Sequence, residues 1–335
     1  MTVRMPAEWE PHDWLWIGFP WNPDEWGGAA PLARAQAQIA AFADAVRAGG
    51  KGEEVRLVCN DQASAAAARA LLTSDATLVV EPLGDVWLRD TGPIAVERPD
   101  GHSAPTRALA DFRFNGWGGK YEMPGDEDIG ARLAASTGLA TTAVPLIFEG
   151  GAVDTDGTGL FVTTEQCLLN PNRNPDLGRE QIQTLLAGSL GLKDMLWLGE
   201  GLVNDHTDGH VDNLARFVAP GVIAVPQATT GDDPNAALYA DAAARAKAHG
   251  LTVAPMPSPG RVEADGALIP ASYMNFLIAN AAVIVPVYGV ANDSAILDAL
   301  APFFPGRSIV PLPSDAILAG GGSFHCTSQQ MPKAR

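Results

Sequence analysis

Short apolar runs alternate along this chain with longer Ala- and Leu-rich stretches, and Gly, Pro or Asn stands at most of the boundaries. A brief apolar run between turn residues predicts a buried strand, and a longer Ala/Leu stretch predicts a helix. The pattern predicts strands at Trp14–Phe19, Val55–Cys59, Thr77–Val80, Ile94–Val96, Val144–Phe148 and Gly159–Thr163. Further strands are predicted at Leu214–Val218, Gly221–Val225, Ala282–Pro286 and Ser308–Leu312, and a short one at Ala316–Ala319. Helices are predicted over Pro31–Val46, Gln62–Leu72, and near 127–136, 176–190, 235–249 and 294–303. The tryptophans of the 9–21 stretch read as core, with a pocket wall as the alternative.

A polar residue stands out beside one strand of each successive unit: Asp90, Glu149, His210, Asn275 and Cys326. By their numbers they lie 59, 61, 65 and 51 residues apart. A period of roughly 50–60 residues is the mark of a repeat architecture. Five α/β units in a circle would bring one polar loop from each to a common centre, whereas one long open sheet would not. Nothing in the composition demands a linker, so residues 1–335 are read as one domain.

Charge narrows the partners. The 335 residues carry 22 basic and 39 acidic side chains, a net charge of -17. That argues against nucleic acid and anionic membrane surfaces and suits a small cationic ligand. No apolar run is long enough to span a membrane, and the first residues lack an apolar signal core. Cys59, Cys167 and Cys326 are odd in number and far apart, which places the chain in a reducing cytoplasm rather than among disulfide scaffolds.

Candidate chemistry centres on Gly320-Gly321-Gly322-Ser323-Phe324-His325-Cys326. Glycines let a backbone come close to a ligand, and the thiol sits in a loop rather than among Val, Ile and Leu. Cys326 is therefore a candidate nucleophile, the alternative being a chance free thiol; Cys59 and Cys167 read as core. A thiol with an ordinary pKa near 8.5 needs a base or a cation beside it. Among the histidines, His102 and His249 read as exposed and His12 is ambiguous. His206 and His210 alternate with Asp208 and Asp212, and on an extended segment all four would face one side. Such a run could hold a metal, or His210 could do acid–base work while the carboxylates hold a cation. Asp90 beside Trp87 could grip a planar cation by hydrogen bonds and stacking, or belong to an Arg89–Asp90 surface loop. Glu149 is a turn residue or an orienter of a histidine.

The chain resembles the agmatine deiminase family, within the guanidine-modifying superfamily that includes peptidylarginine and arginine deiminases. The resemblance rests on Met5-Pro6-Ala7-Glu8-Trp9-Glu10-Pro11-His12, Trp87-Leu88-Arg89-Asp90-Thr91-Gly92-Pro93, Phe114–Tyr121 and Glu149-Gly150-Gly151. It continues through Thr163–Pro175, Gly209-His210-Val211-Asp212, Ser272–Phe276 and Gly320 to Gln330. It implies a five-bladed, pseudo-symmetric α/β propeller of ββαβ-type units with an axial site. It also implies hydrolysis of agmatine to N-carbamoylputrescine and ammonia without metal or cofactor. By the same resemblance Cys326 is the nucleophile, His210 the acid–base, Glu149 its orienter, and Asp90 and Asp212 the guanidinium ligands. Trp87, Trp117, Asn275 and His206 are the further substrate-binding candidates, and a homodimer is allowed.

Departures are informative. His206 stands where many relatives have Asp, near the amine tail by the resemblance. Ser323-Phe324 replaces Asn-Ile, so Phe324 is expected to narrow the pocket, and Thr327-Ser328 replaces Ile-Thr. Arg107, Arg113 and Lys120 leave open a substrate carboxylate, as in arginine or a C-terminal peptidylarginine. A non-catalytic polyamine-binding protein is the alternative of another class.

Overall fold

The computed structural model describes residues 3–99, 105–264 and 266–334. The fold is α/β, built on five small mixed sheets of one plan plus a two-stranded ribbon, Glu263–Ala264 with Ala267–Leu268. In the second sheet Ile94–Arg98 pairs antiparallel with Thr106–Arg113, which pairs parallel with Ala140–Ile147. The third repeats this with Val153–Thr155, Leu160–Thr164 and Asp194–Leu198. The fourth uses Arg216–Ala219, Val222–Gln227 and Thr252–Pro257, and the fifth Leu277–Ile278, Ala282–Val287 and Ser308–Pro313. The first sheet joins the chain ends. Ser328–Pro332 pairs antiparallel with His12–Gly18, which is followed in parallel by Glu54–Cys59 and Thr77–Val80.

Each parallel pair is bridged by a helix, as a parallel crossover requires. These are Ala29–Arg47 and Gln62–Leu71 in the first unit, then Ile129–Thr137, Arg179–Leu190, Ala236–Ala248 and Asp293–Leu300. Local chemistry sets their limits. Asp61 accepts the Ser64 amide at 2.7 Å while Ser64 Oγ accepts the Asp61 amide, a reciprocal cap that starts Gln62–Leu71. Arg179–Leu190 ends at Gly191 with φ 82°, where a side chain would be strained.

The core consists of five apolar clusters, and each joins two sheets. Trp14, Trp16 and Val58 of the first sheet meet Ala95 and Leu109 of the second. Val144 and Leu146 meet Phe161 and Met195 of the third, and Val162 and Leu196 meet Ile223 and Val225 of the fourth. Ala224 and Met256 meet Val283 and Val285 of the fifth. Leu277 and Ile284 then meet Leu15, Ile17 and Val55 of the first. The Trp14–Trp16 stretch is thus core, as read from its pattern. Each Val, Leu, Ile, Phe or Met buried this fully contributes about 1.5–3 kcal/mol, so the packing between sheets is a main source of stability.

One expectation about elements is corrected, and one strand was not predicted. Ala316–Ala319 is not a strand: Asp315–Leu318 is a short helix. Gln38 Oε1, reaching over from Ala29–Arg47, accepts the Ala316 and Ile317 amides and so caps its first turn. Ser328–Pro332 is a strand although its sequence is polar. It is buried throughout and held by pairing with His12–Gly18.

Candidate active site

Cys326 follows a glycine turn whose tightness has a local cause. A Cβ on Gly322 would lie 2.7 Å from the Trp87 ring and 3.1 Å from Cys326 Sγ. The glycine is needed because the thiol and the indole already occupy that space. Asn275 fixes the thiol from both sides: its Oδ1 accepts the Cys326 amide at 3.2 Å, and its Nδ2 donates to Sγ at 3.0 Å. Asp212 Oδ2 lies 3.7 Å from Sγ.

The acidic and histidine side chains converge around Gly151. A Cβ there would lie 2.6 Å from His210 Nδ1, 2.9 Å from Asp90 Oδ1 and 3.1 Å from Asp212 Oδ2. Asp90 accepts the Gly151 amide on Oδ1 and the Trp117 indole N–H on Oδ2, both at 2.9 Å. His210 is fully buried, with Nδ1 3.7 Å from Asp90 and Nε2 3.6 Å from Glu149. Both ring nitrogens and Asp212 Oδ1 are buried without a hydrogen-bond partner.

Electrostatics assigns the protons. Burial pushes the Cys326 thiol well up, and the Asp212 and Asp90 carboxylates push it further. Burial would lower His210, but Asp90, Cys167 and Glu149 outweigh it and hold the imidazole well above its ordinary value. Burial raises Asp90, against the pull of His210. For Asp212, burial is outweighed by His325, and for Glu149 by His210 and Arg173, so both are held down. The resting site is therefore a protonated thiol and an imidazolium among carboxylates.

A wider ionic frame holds these groups. His325 bonds Asp212 through Nδ1 and Glu8 through Nε2, each at 2.8 Å. Glu8 also takes Arg216 at 2.8 Å, and Arg216 reaches Asp154. On the other flank Arg173 donates to Glu149 at 2.7 Å and to Asp208 at 2.6 Å, and Lys120 pairs with Asp208 at 2.8 Å. Glu8, Arg173, Arg216 and Asp154 were not singled out from the sequence. For Arg216 a signal was available, a charge inside the apolar run Leu214-Ala215-Arg216-Phe217-Val218, since buried charges must pair. Glu149, Cys167 and His210 bring one potential ligand atom each within 4.8 Å of one another. Arg173 already supplies a cation to that Glu149.

A cavity of about 220 Å³ opens onto Cys326, Asp90, Trp87 and Trp117, with Asp85 and Met123 in its wall. His206 and Tyr121 stand at its mouth, their rings stacked 6.1 Å apart. The cavity lining contains no Lys or Arg among the described residues.

The loops thus bring Asp90, Glu149, His210, Asp212, Asn275 and Cys326 together. Of the expected substrate-binding residues, Trp87, Asp90, Trp117 and His206 line the cavity, whereas Asp212 and Asn275, which bonds Cys326 and Asn213, are not part of its wall. The 206–212 segment is not extended. Asp208 and Gly209 have φ 65° and 84°, which sends His206 to the mouth, Asp208 to Arg173, and His210 and Asp212 inward. Arg89–Asp90 is no surface loop, since both are buried, and Arg89 donates to Gln329 and to the His325 carbonyl. Phe324 does not narrow the pocket: it is fully buried against Phe42, 4.8 Å away. Ser323 beside it bonds Ser314. Arg107 pairs with Asp13 and Lys120 with Asp208, outside the cavity wall. His12 is buried on Glu53, His249 is exposed beside Asp194, and His102 lies outside the described residues. Cys167 is buried as expected, but at the site rather than in remote core, 4.0 Å from Glu149.

Residues 4–332 match the model of the Porphyromonas-type peptidyl-arginine deiminase family. A Yersinia pseudotuberculosis relative with the provisional name agmatine deiminase is 35% identical over 362 residues, covering 98% of this chain and 95% of its own. The solved agmatine deiminase of Enterococcus faecalis superposes with a TM-score of 0.90 at 31% identity, over 99% of this chain and 96% of that one. A C. jejuni agmatine deiminase with substrate bound gives 0.90 at 27% identity, over 99% and 97%. This chain belongs to the Porphyromonas-type peptidyl-arginine deiminase family.

Proposed function

We propose that the protein is an agmatine deiminase, hydrolysing agmatine to N-carbamoylputrescine and ammonia through an amidino-cysteine. The observation that carries this is the gathering of four groups: Cys326 and Asp90 line one cavity, Asp212 Oδ2 lies 3.7 Å from the thiol, and Asp90, Asp212 and His210 converge around Gly151. Two buried carboxylates suit a guanidinium, which is planar, permanently charged and able to take paired hydrogen bonds. An arginine or C-terminal peptidylarginine would also need a base for its carboxylate, and the described cavity wall offers no Lys or Arg. Among similar structures, a cysteine-to-serine variant of the C. jejuni enzyme holds its substrate.

In the proposed mechanism the guanidinium binds between Asp90 and Asp212, and its charge offsets the field that kept Cys326 protonated. The Cys326 thiol gives its proton to water in the open cavity, since His210 is already protonated, and the thiolate attacks the central carbon. His210, which carries a proton at rest, gives it to one departing nitrogen, and ammonia leaves. Neutral His210 then takes a proton from water, whose oxygen adds to the amidino carbon. Collapse forms the C=O bond and breaks the C–S bond, and the hydroxyl proton passes to the leaving sulfur, restoring the Cys326 thiol. Glu149, anchored by Arg173, holds His210 for both transfers, while Trp87 and Trp117 flank the guanidinium. The same proposal takes the five sheets as propeller blades of one domain around this axis. The closing contact of the fifth sheet on the first supports it. It also places the enzyme in the cytoplasm, in keeping with three free cysteines.

Ammonia release from agmatine, arginine and a C-terminal-arginine peptide, with and without chelator, tests the proposal. Agmatine is expected to be preferred, with no effect of chelator and no turnover by Cys326→Ala. No release from any guanidine would overturn the deiminase reading. Preference for arginine would overturn the substrate, and chelator sensitivity would revive a metal.

A further inference from the structure

The Asp85–Asp126 pair stands apart from the catalytic groups and takes no part in the steps above. Asp85 lines the same cavity as Cys326, and the Trp87 wall connects the two. One face of that wall approaches Gly322 and the thiol. Trp26 stacks on Trp87 with centroids 6.2 Å apart and donates its indole N–H to Asp85 Oδ1 at 3.1 Å. Behind Asp85 lies Asp126, whose Oδ1 accepts the Gly84 amide at 2.9 Å and the Asp85 amide at 3.2 Å. A Cβ on Gly84 would come within 2.8 Å of that carboxyl.

Both carboxyls are buried, and Asp126 Oδ2 has no hydrogen-bond partner. Among the described residues no Lys, Arg or His pairs with either. Buried carboxylates without a cation are costly. Burial pushes Asp85 up to about 6 and Asp126 up to about 7, with Asp85 adding to the rise in Asp126. A proton compensates them at low pH, and a cation arriving through the cavity is the other way to compensate Asp85, which lines it.

We propose that Asp85, backed by Asp126, is the subsite for the primary ammonium group at the far end of the substrate. This rests on the agmatine reading. The ligand is an ammonium rather than a second guanidinium, because Trp26 already occupies Asp85 Oδ1 and leaves no free paired edge for a planar fork. Met123, Ala319 and Trp87 supply apolar wall for the methylenes between the two charges. His206 offers no anion at the mouth: its carbonyl takes Lys120 and its ring lies against Tyr121. Glu25 also borders the cavity but is exposed, where water screens its charge.

The first test uses the unaltered protein with agmatine and with n-butylguanidine, which has the same chain length without the amine. We expect kcat/KM to favour agmatine about 10- to 100-fold, the range of one charge-assisted contact. Equal values would overturn the subsite. Asp85→Asn should bring the ratio close to one, chiefly through KM for agmatine. An equal loss on both substrates would make Asp85 merely structural and overturn the proposal. Asp85→Glu keeps the charge on a longer arm and should shift preference toward 3-guanidinopropylamine; an unchanged chain-length profile would count against it. Glu25→Gln should leave the ratio as it is, and loss of the preference there would move the subsite to Glu25. Failure of the unaltered protein on every guanidine would sink the deiminase reading itself, a result distinct from turnover without amine preference.

Discussion

Replacing Asp212 by Asn should make Cys326 more reactive and the enzyme far less active. Asp212 Oδ2 lies 3.7 Å from the sulfur. At that distance and an effective dielectric near 20, one unit charge acts on another with about 4 kcal/mol. Removing it raises the thiolate population at fixed pH by up to roughly a thousandfold. Thiolate nucleophilicity falls with basicity by a Brønsted coefficient of about 0.4–0.5, so the net gain in alkylation rate is up to about thirty- to sixtyfold. Pseudo-first-order iodoacetamide labelling at pH 8 measures this, with Cys326 followed by peptide mass spectrometry. Cys59 and Cys167 are fully buried and should react slowly in both proteins. On the same samples kcat/KM for agmatine should fall by about 10²–10³-fold, because a buried charge partner of the guanidinium is gone. Unchanged or slower alkylation in Asp212→Asn would refute the claim that this carboxylate holds the thiol protonated. Retained turnover would refute its role as a guanidinium ligand.

Gly151→Ala would place a methyl 2.6 Å from His210 Nδ1 and 2.9 Å from Asp90 Oδ1. Steady-state kinetics should show a loss of about 10²-fold, since displacements near 1 Å carry that penalty; normal rates would show that the site can relax around it. Phe324→Leu should cost about 1 kcal/mol in denaturant unfolding and leave KM unchanged, because the ring packs on Phe42 rather than on substrate. A changed KM would return Phe324 to the pocket. Asp126 gains its pH effect from a folded value raised from 3.8 to about 7. The folded state then keeps a proton that the unfolded chain has already lost, so this residue's stabilisation is complete below pH about 4 and lost as pH rises toward about 7. Melting curves of Asp126→Asn should show a flatter decline across that window than the parent, and parallel curves would contradict the assignment.

Much of the site was legible along the chain. Asp90, Glu149, His210, Asn275 and Cys326 recur at similar spacing beside predicted strands, and the structure joins all five. The helices were legible because a long Ala- and Leu-rich stretch bounded by Gly, Pro or Asn is a local signal. The frame beneath the site was not legible. His325 meets Glu8 across 317 residues and Arg89 meets Gln329 across 240. Such pairs leave no local pattern, and their members look like ordinary surface charges until the partner is known.

By itself, then, the sequence determined the α/β units, the candidate site residues and the acidic character that suits a cation. Tertiary structure decided which polar residues are inside. Ser328–Pro332 was not among the predicted strands, yet it is a buried strand because the chain ends pair in one sheet. Phe324 and Cys326 stand two residues apart, yet one ring fills the core while the thiol faces the cavity. The glycine turn permits both, but the direction of each side chain was set by Phe42, Trp87 and Asn275, contributed by other parts of the chain. The physical reason is common to these cases. Burial and charge compensation depend on distance in space, and only the packed fold supplies that distance.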